Sequence, residues 1–313
     1  MKILITGVHG FVGSNLVNAL SKDHIIYGLD IISPNKEGVR YTFSWDYLDK
    51  KDGIPEVDAI IHLAGKAHDT KNEAAADVYF KVNTDLTKKI YDYFLMSKAK
   101  KFIFFSTAKA AADKVDGVLT EEVVPTPIGP YGESKIAAEN YILSKMEDVR
   151  SKSKDIYIFR PCMIHGPGNK GNLNLLYGVV KKGIPWPLGA FENRRTFTSI
   201  ENICFAVNGV LAKDVPSGIY NMGDDEALST NELIEEICKS IGKKAHIWKL
   251  PKGLMYCVAK IGGALHLPLD PERLRKLTED YVSSNAKIKN ALGVEKMPVD
   301  ARKGLQRTLE SFK

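Results

Sequence analysis

Residues 1–17 read MKILITGVHGFVGSNLV, an apolar run of strand length followed by Gly7, Gly10 and Gly13. Glycines at this rhythm, where a strand turns into a helix, meet three steric demands. A tight turn needs positive φ, a pyrophosphate has to approach bare backbone, and the new helix packs closely on its strand. The helix N-terminus then offers unpaired N–H groups and partial positive charge to phosphate. The spacing is G-x-x-G-x-x-G rather than G-x-G-x-x-G, and taken alone it also suits a glycine-rich turn that binds nothing. Downstream, HIIYGLD (24–30) reads as a second strand ending in Asp30. A carboxylate there accepts hydrogen bonds from an adenosine ribose and repels a 2′-phosphate, which favours NAD. Lys36 and Arg40 nearby leave NADP as the alternative.

Working outward, DAIIHLAG (58–65), KKFIFFSTA (100–108) and IYIFRPCMI (156–164) read as further buried strands. Between them, SNLVNALSKD, VNTDLTKKIYDYFLMSK and GESKIAAENYILSKMED have helical spacing, with Leu16, Ala19 and Leu20, then Leu86, Ile90 and Phe94, on single faces. Strands alternating with helices imply a Rossmann-type α/β fold with a doubly wound parallel sheet. After residue 165 the texture changes. HGPGNKGNLN and GIPWPLG are loop signals. STNELIEEICKSIG carries a capping box at Ser229 and Glu232 and a stop at Gly242, and DPERLRKL places Pro271 in a first helical turn behind Asp270. The expected organisation is a cofactor-binding domain over 1–165, its last strand contributed by residues near 196–222. Residues 166–313 form a smaller, mainly substrate-binding α/β portion.

The chain has 313 residues, 44% hydrophobic and 26% charged, with net charge +6 and no long run of one sign. That composition is ordinary for a globular protein and does not indicate a nucleic-acid partner. Cys162, Cys204, Cys238 and Cys257 are too far apart for a CxxC motif, and three sit among apolar residues, which points to a reducing compartment. The first residues do not form a signal-type segment. The apolar stretch GLMYCVAKIGGALHLPL (253–269) is interrupted by Lys260, Gly262, Gly263 and Pro268 and is too short to span a bilayer. A cytoplasmic protein without membrane insertion is expected. No His, Cys, Asp or Glu spacing suits a metal.

A second informative stretch is GPYGESKIAAE (129–139). Tyr131 and Lys135 are four apart and share one helix face. An ammonium beside a phenol favours phenolate, so the pair can move a proton near neutral pH. Y-x-x-x-K alone is common on solvated helices. Together with the glycine turn in a βαβ chain it becomes specific.

These motifs resemble the extended short-chain dehydrogenase/reductases of the NAD-dependent sugar-nucleotide epimerase/dehydratase family. The likeness runs through ITGVHGFVG, HLAGKAH, FFSTAKA, PYGESKIAAE, RPCMIHGPG and NRRTFTSIENI, nearly the whole length. It implies a catalytic set of Thr107, Tyr131 and Lys135, with Ser106 as the structural neighbour of Thr107. It implies a cofactor set in which Gly7, Gly10, Phe11, Val12 and Gly13 form the dinucleotide turn and Asp30 holds the ribose. Asp46 and Tyr47 lie beside the adenine, and Leu63, Ala64, Gly65 and Lys66 line the cleft. Asn83 supports the architecture, and Ser106, Tyr131, Lys135 and Pro161 complete the set. Substrate contacts fall to Thr107, Met163, Asn172 and Arg195, with Arg273 a weaker candidate. A guanidinium at Arg195 suits a diphosphate because its planar fork contacts phosphate oxygens bidentately. His62 and His165 read as satisfied core residues.

The chain departs from the family pattern in three places. Ala111 and Ala112 stand where the family has Tyr-Gly, which removes an aromatic wall. Ala108 and Lys109 replace the Asp-Glu pair of the dehydratases, which argues against 4,6-dehydration. Met163 replaces the polar residue of R-P-x-N. The implied function is NAD-dependent modification of a nucleotide-diphosphate sugar at C4, resembling UDP-glucose 4-epimerase, for surface polysaccharide synthesis. A 4-keto sugar-nucleotide reductase is the first alternative and a non-catalytic NAD-binding sensor or scaffold the second. A homodimer through the helices around residues 82–96 and 130–146 is expected.

Overall fold

The computed structural model describes residues 1–32, 34–50, 53–67, 75–169, 171–265, 267 and 269–313. Pro268, one of the expected helix breakers, and the motif residues His68 and Lys170 lie outside the described residues. The strands are β1 Lys2–Thr6, β2 Ile25–Leu29, β3 Tyr41–Phe43, β4 Ala59–His62, β5 Lys101–Phe105, β6 Val118–Leu119, β7 Asp155–Pro161, β8 Met163–His165, β9 Phe197–Ser199, β10 Gly218–Met222 and β11 Val282–Ser283. The helices of the first half are α1 Phe11–Leu20, α2 Ala76–Tyr79, α3 Leu86–Met96, α4 Ala108–Ala111, α5 Pro130–Ser144 and α6 Met146–Ser151. Those of the second are α7 Asn172–Lys181, α8 Ile200–Ala212, α9 Thr230–Ser240, α10 Lys252–Ala264, α11 Pro271–Thr278, α12 Ala286–Leu292 and α13 Ala301–Glu310.

Seven parallel strands form one sheet in the order β10-β7-β5-β4-β1-β2-β3. Alternate residues of each strand feed opposite faces, as a pleat requires. Ile3, Ile5, Ile61, Ile103 and Phe159 pack with α1, α8 and α12. Leu4, Ile60, Phe102, Phe104 and Ile158 pack with α3 and α5. Burial on both faces is why these strands read as unbroken apolar runs. The doubly wound sheet expected from the sequence is present. A further core joins α7, α9, α10 and α13 around Leu173, Ile237, Met255 and Leu305. Strand order reverses between β1 and β4, where α/β sheets open a crevice at their carboxyl ends.

Three local outcomes differ from the sequence reading. The run 156–164 is not one strand: it breaks at Cys162, and β8 leaves the main sheet to pair with β9. The helix expected from Val82 begins as a π-helical segment, Phe80–Asp85, before becoming α3. β3 is an additional edge strand of only three residues. The predicted caps are in place: Ser229 and Glu232 form the capping box, and Asp270 caps α11 with Pro271 in its first turn.

The glycine turn is sterically committed. Gly7 has φ +69°, and a Cβ there would lie 3.0 Å from the Ala64 nitrogen. A Cβ at Gly13 would press on the Gly7 carbonyl oxygen and lie 2.9 Å from the Val8 Cα, so α1 would have to lift from β1. Gly13→Ala should therefore cost about 1–3 kcal/mol. Gly178→Ala in α7, where a Cβ meets nothing within 4 Å, should gain roughly 0.5–1 kcal/mol. Urea unfolding of both variants checks this, and an unshifted midpoint for Gly13→Ala would contradict the packing argument.

Candidate active site

The carboxyl ends of β1, β2, β4, β5 and β7 bring the sequence candidates to one edge of the sheet. At β1, the Thr6 hydroxyl accepts from the Leu63 and Ala64 nitrogens at 3.2 and 3.1 Å, fixing the turn after β4 beside the glycines. Thr6 also bonds His62 Nδ1 at 2.6 Å, while His62 Nε2 meets the Thr87 hydroxyl at 2.9 Å. Burial, with the Lys135 charge nearby, holds His62 down to about 3, so it is a neutral core residue. His165 is likewise internal, bonded to Thr308 at 2.9 Å. Asp30 ends β2, and its carboxylate accepts from the His9 nitrogen at 3.0 Å and from Ile31 at 2.8 Å. Those bonds aim it at the glycine turn. Phe11 and Val12 open α1, half-buried.

The residues expected to handle the proton lie at the end of β5 and the start of α5. Thr107 caps α4, its hydroxyl accepting from the Lys109 nitrogen at 3.3 Å, and it lies close enough to the Tyr131 phenol to act on its titration. The Lys135 ammonium donates to the Phe105 carbonyl at 2.8 Å and lies 4.9 Å from the centre of the Phe104 ring. A Cβ at Gly65 would fall 3.1 Å from Lys135 Nζ and 3.0 Å from Asn83 Oδ1, so bare backbone is what admits them. Asn83, fully buried in the π-helical segment, accepts from the Lys66 nitrogen at 2.7 Å and donates to the Lys66 carbonyl and the Ser134 hydroxyl. Insertions of this kind recur at functional sites. Here the widened turn lets one amide side chain pin the β4 loop to α5.

The electrostatics depart from the simple expectation. Burial raises the Tyr131 phenol above its ordinary value, with the Thr107 hydrogen bond working against the rise. Burial brings Lys135 down to about 8, while Glu139 holds it up. In this chain by itself, then, the lysine rather than the tyrosine carries the shift toward neutrality.

Ser106 and Thr107 have different partners. Ser106 points into the body and donates to Glu139. Glu139 is fully buried and takes a two-pronged contact from Arg160, with Nε at 3.0 Å and Nη2 at 2.5 Å. Neither Glu139 nor Arg160 stands out in the sequence. The residue types carried no signal of the pairing, since the partners meet only through the fold.

The expected substrate residues are scattered. Arg195, partly exposed, donates to the Lys276 carbonyl and lies within electrostatic reach of Cys162, Tyr281 and Glu279. Tyr281 donates to the Ala112 carbonyl at 2.8 Å and packs on Ala108, Ala111 and Ala112, which ties the Arg195 region to the segment after Thr107. Met163 is half-buried at the start of β8, opposite Phe197. Pro161 is buried at the end of β7. Asn172 begins α7 and is exposed, and Arg273 is exposed on α11, 3.6 Å from Asp270. Asp46 and Tyr47 sit in a 3₁₀ turn, Asp46 paired with Lys50 at 2.6 Å. Tyr79, its ring 6.4 Å from that of Tyr131, is a neighbour the sequence reading did not name.

Fold and site together define an enzyme of the extended short-chain dehydrogenase/reductase type. Residues 3–223 match the profile of the NAD dependent epimerase/dehydratase family, and the chain belongs to that family. The UDP-glucose 4-epimerase of Vibrio cholerae is 29% identical over 99% of this chain and 95% of its own length. The dTDP-4-dehydro-6-deoxyglucose reductase of Escherichia coli is 25% identical over 78% of this chain and 83% of its own. The crystal structure of the UDP-glucuronic acid 4-epimerase of Bacillus cereus in complex with NAD matches the fold with TM-score 0.75 at 22% identity, over 100% of this chain and 98% of that one. The cofactor is NAD, and the bare backbone at Gly7 and Gly65 with the carboxylate of Asp30 fits it.

Removing Glu139 would leave the Arg160 guanidinium buried without its counter-charge. Glu139→Ala should cost about 3–5 kcal/mol, and adding Arg160→Met in that background should restore part of it. Urea unfolding measures both. A single variant as stable as the parent would show that the pair holds nothing together.

Proposed function

We propose that this protein catalyses a UDP-hexose 4-epimerase-like reaction on a nucleotide-diphosphate sugar in the cytoplasm, as a step toward cell-surface polysaccharide. The observation that carries the reading is Tyr131 and Lys135 one turn apart on α5, with the Thr107 hydroxyl close enough to the phenol to oppose its rise and the Lys135 ammonium over the bare backbone of Gly65. Tyr131 holds and moves the proton of the sugar C4 oxygen, and Thr107 hydrogen-bonds the same oxygen. Lys135 supplies positive charge to the developing phenolate and a donor to the cofactor ribose. NAD, when bound, would supply the hydride acceptor and donor for C4. Gly7, Gly10 and Gly13 would cradle its pyrophosphate, Asp30 its adenosine ribose, and the 46–47 turn would flank its adenine. Arg195 would grip the substrate diphosphate.

Residues 1–165 with β10 would serve the cofactor, and most of 166–313 the substrate. Ala108 and Lys109 supply no acid pair, so dehydration is disfavoured. A 4-ketoreductase shares every group named here, and the Escherichia coli relative carries a reductase name. A non-catalytic sensor would have no use for both Tyr131 and Lys135. Pairing of two copies through α3 and α5 would give a homodimer, so light scattering at micromolar concentration should report twice the chain mass. A single-chain mass removes that claim.

Tyr131→Phe should keep fold and NAD binding while turnover of UDP-sugars falls about 10²–10⁴-fold. Arg195→Ala should instead raise the substrate KM, costing roughly 2–4 kcal/mol in kcat/KM. Assays with and without added NADH separate the two chemistries, since an epimerase needs none and a reductase consumes it in step with product. Near-parental activity in Tyr131→Phe would overturn the mechanism.

A further inference from the structure

The apolar stretch around α10 has no part in the chemistry above. α10 turns Met255, Ala259 and Gly262 toward the body. One flank, roughly a quarter-turn round the helix from these, carries Leu254, Val258, Ile261 and, at its C-cap, Leu265, spaced by four, three and four residues and 50, 42, 58 and 64% exposed. Leu267 and Trp248, close by in sequence, are exposed as well, while Tyr256 lies on the other side of the helix with its ring edge-on to Phe191. A surface helix ordinarily keeps large apolar residues inward, and here four of them share one exposed flank beside the polar side that carries Lys252 and Lys260. Contiguous patches of this kind mark contact surfaces.

Charge says what covers the patch. From Ile237 to Leu269 the sequence contains six lysines and neither Asp nor Glu. Lys243, Lys244, Lys249, Lys252 and Lys260 are exposed. On the adjoining α11 the acids are already paired, Asp270 with Arg273 and Glu272 with Lys276. A two-fold contact between copies would set these lysines against themselves. An anionic surface with an apolar interior takes both features at once.

We propose that α10, with Trp248, docks the protein on the surface of a bilayer containing anionic phospholipid. Leu254, Val258, Ile261 and Leu265 enter the acyl boundary, Trp248 sits at headgroup level, and the lysines on the polar side of the helix and in the segment before it draw it to the anionic surface. The helix lies on the membrane and does not cross it. At 1.5 Å per residue it is about 20 Å long against a hydrocarbon core of about 30 Å, and no helix among the described residues is long and apolar enough to span. Docking is independent of the hydride chemistry, so the two readings fail separately.

Vesicle flotation of the full chain tests this. Wild-type protein should float with vesicles containing phosphatidylglycerol, less with phosphatidylcholine alone, and less again as salt rises. Leu254→Asp with Ile261→Asp should lower partitioning about tenfold or more. Lys252→Glu with Lys260→Glu should lower it roughly fivefold per lysine, an independent check should the first pair disturb folding. Both pairs should keep the parental melting temperature. Three results would each overturn the proposal: no flotation of the wild type, flotation that survives both pairs, or a salt-insensitive dimer that Leu254→Asp with Ile261→Asp dissolves.

Discussion

The geometry of the site hangs on one buried ion pair. Arg160 stands near the end of β7, Glu139 on α5 two turns beyond Tyr131, and Ser106 at the end of β5 beside Thr107. One carboxylate therefore sets the distance between the strand that carries the threonine and the helix that carries the tyrosine and lysine. An apolar contact could fill the same volume, but it would not fix direction. The fork of Arg160 does, because two nitrogens on one carboxylate leave little freedom to rotate.

That pair also shapes the charges around it. Glu139 is the one group raising the otherwise desolvated Lys135, which still comes down to about 8. Lys135 in turn helps keep His62 neutral, and a neutral His62 can bridge Thr6 and Thr87 without importing a second positive charge. The Thr6 hydroxyl at the other end of this bridge holds the Leu63–Ala64 turn against the glycines. A chain of neutral hydrogen bonds thus runs from the lysine's neighbourhood to the dinucleotide turn. The phenol, by contrast, is raised by its own burial.

What could be read from the sequence follows from how local each feature is. The glycine turn, the strands buried on both faces, the Ser229 capping box and the Tyr131–Lys135 spacing each rest on residues within a few positions, and all were legible. β3 was not, since three residues give no period. The break at Cys162 was hidden because Met163 and Ile164 continue the apolar run while pairing with a different strand. The π-helical insertion at Phe80–Asp85 depends on Asn83 reaching Lys66 and Ser134, contacts that no spacing rule announces. Arg160 and Glu139 are 21 residues apart, and each alone reads as one more surface charge.

The departures from the family pattern take on structural sense in the same terms. Lys109, at a position where the dehydratases carry an acid, extends to Asp113 at 2.9 Å. Asp113 also meets Arg275 at 3.0 Å, and Arg275 meets Glu279 at 2.8 Å. The two alanines that replace Tyr-Gly leave the space that Tyr281 fills, its hydroxyl on the Ala112 carbonyl. β6 pairs with β11 alongside. So the segment after Thr107, instead of presenting an acid pair and an aromatic wall of its own, is tethered by a charge relay, an aromatic and a two-stranded ladder to residues 275–283. Arg195 pairs with that same Tyr281 in a bridge, and its guanidinium reaches the Lys276 carbonyl. Residues 275–283 thereby contact both the segment after Thr107 and Arg195. Substitutions around residues 275–283 can then shift the segment after Thr107 and the backbone at Arg195 together without changing either one.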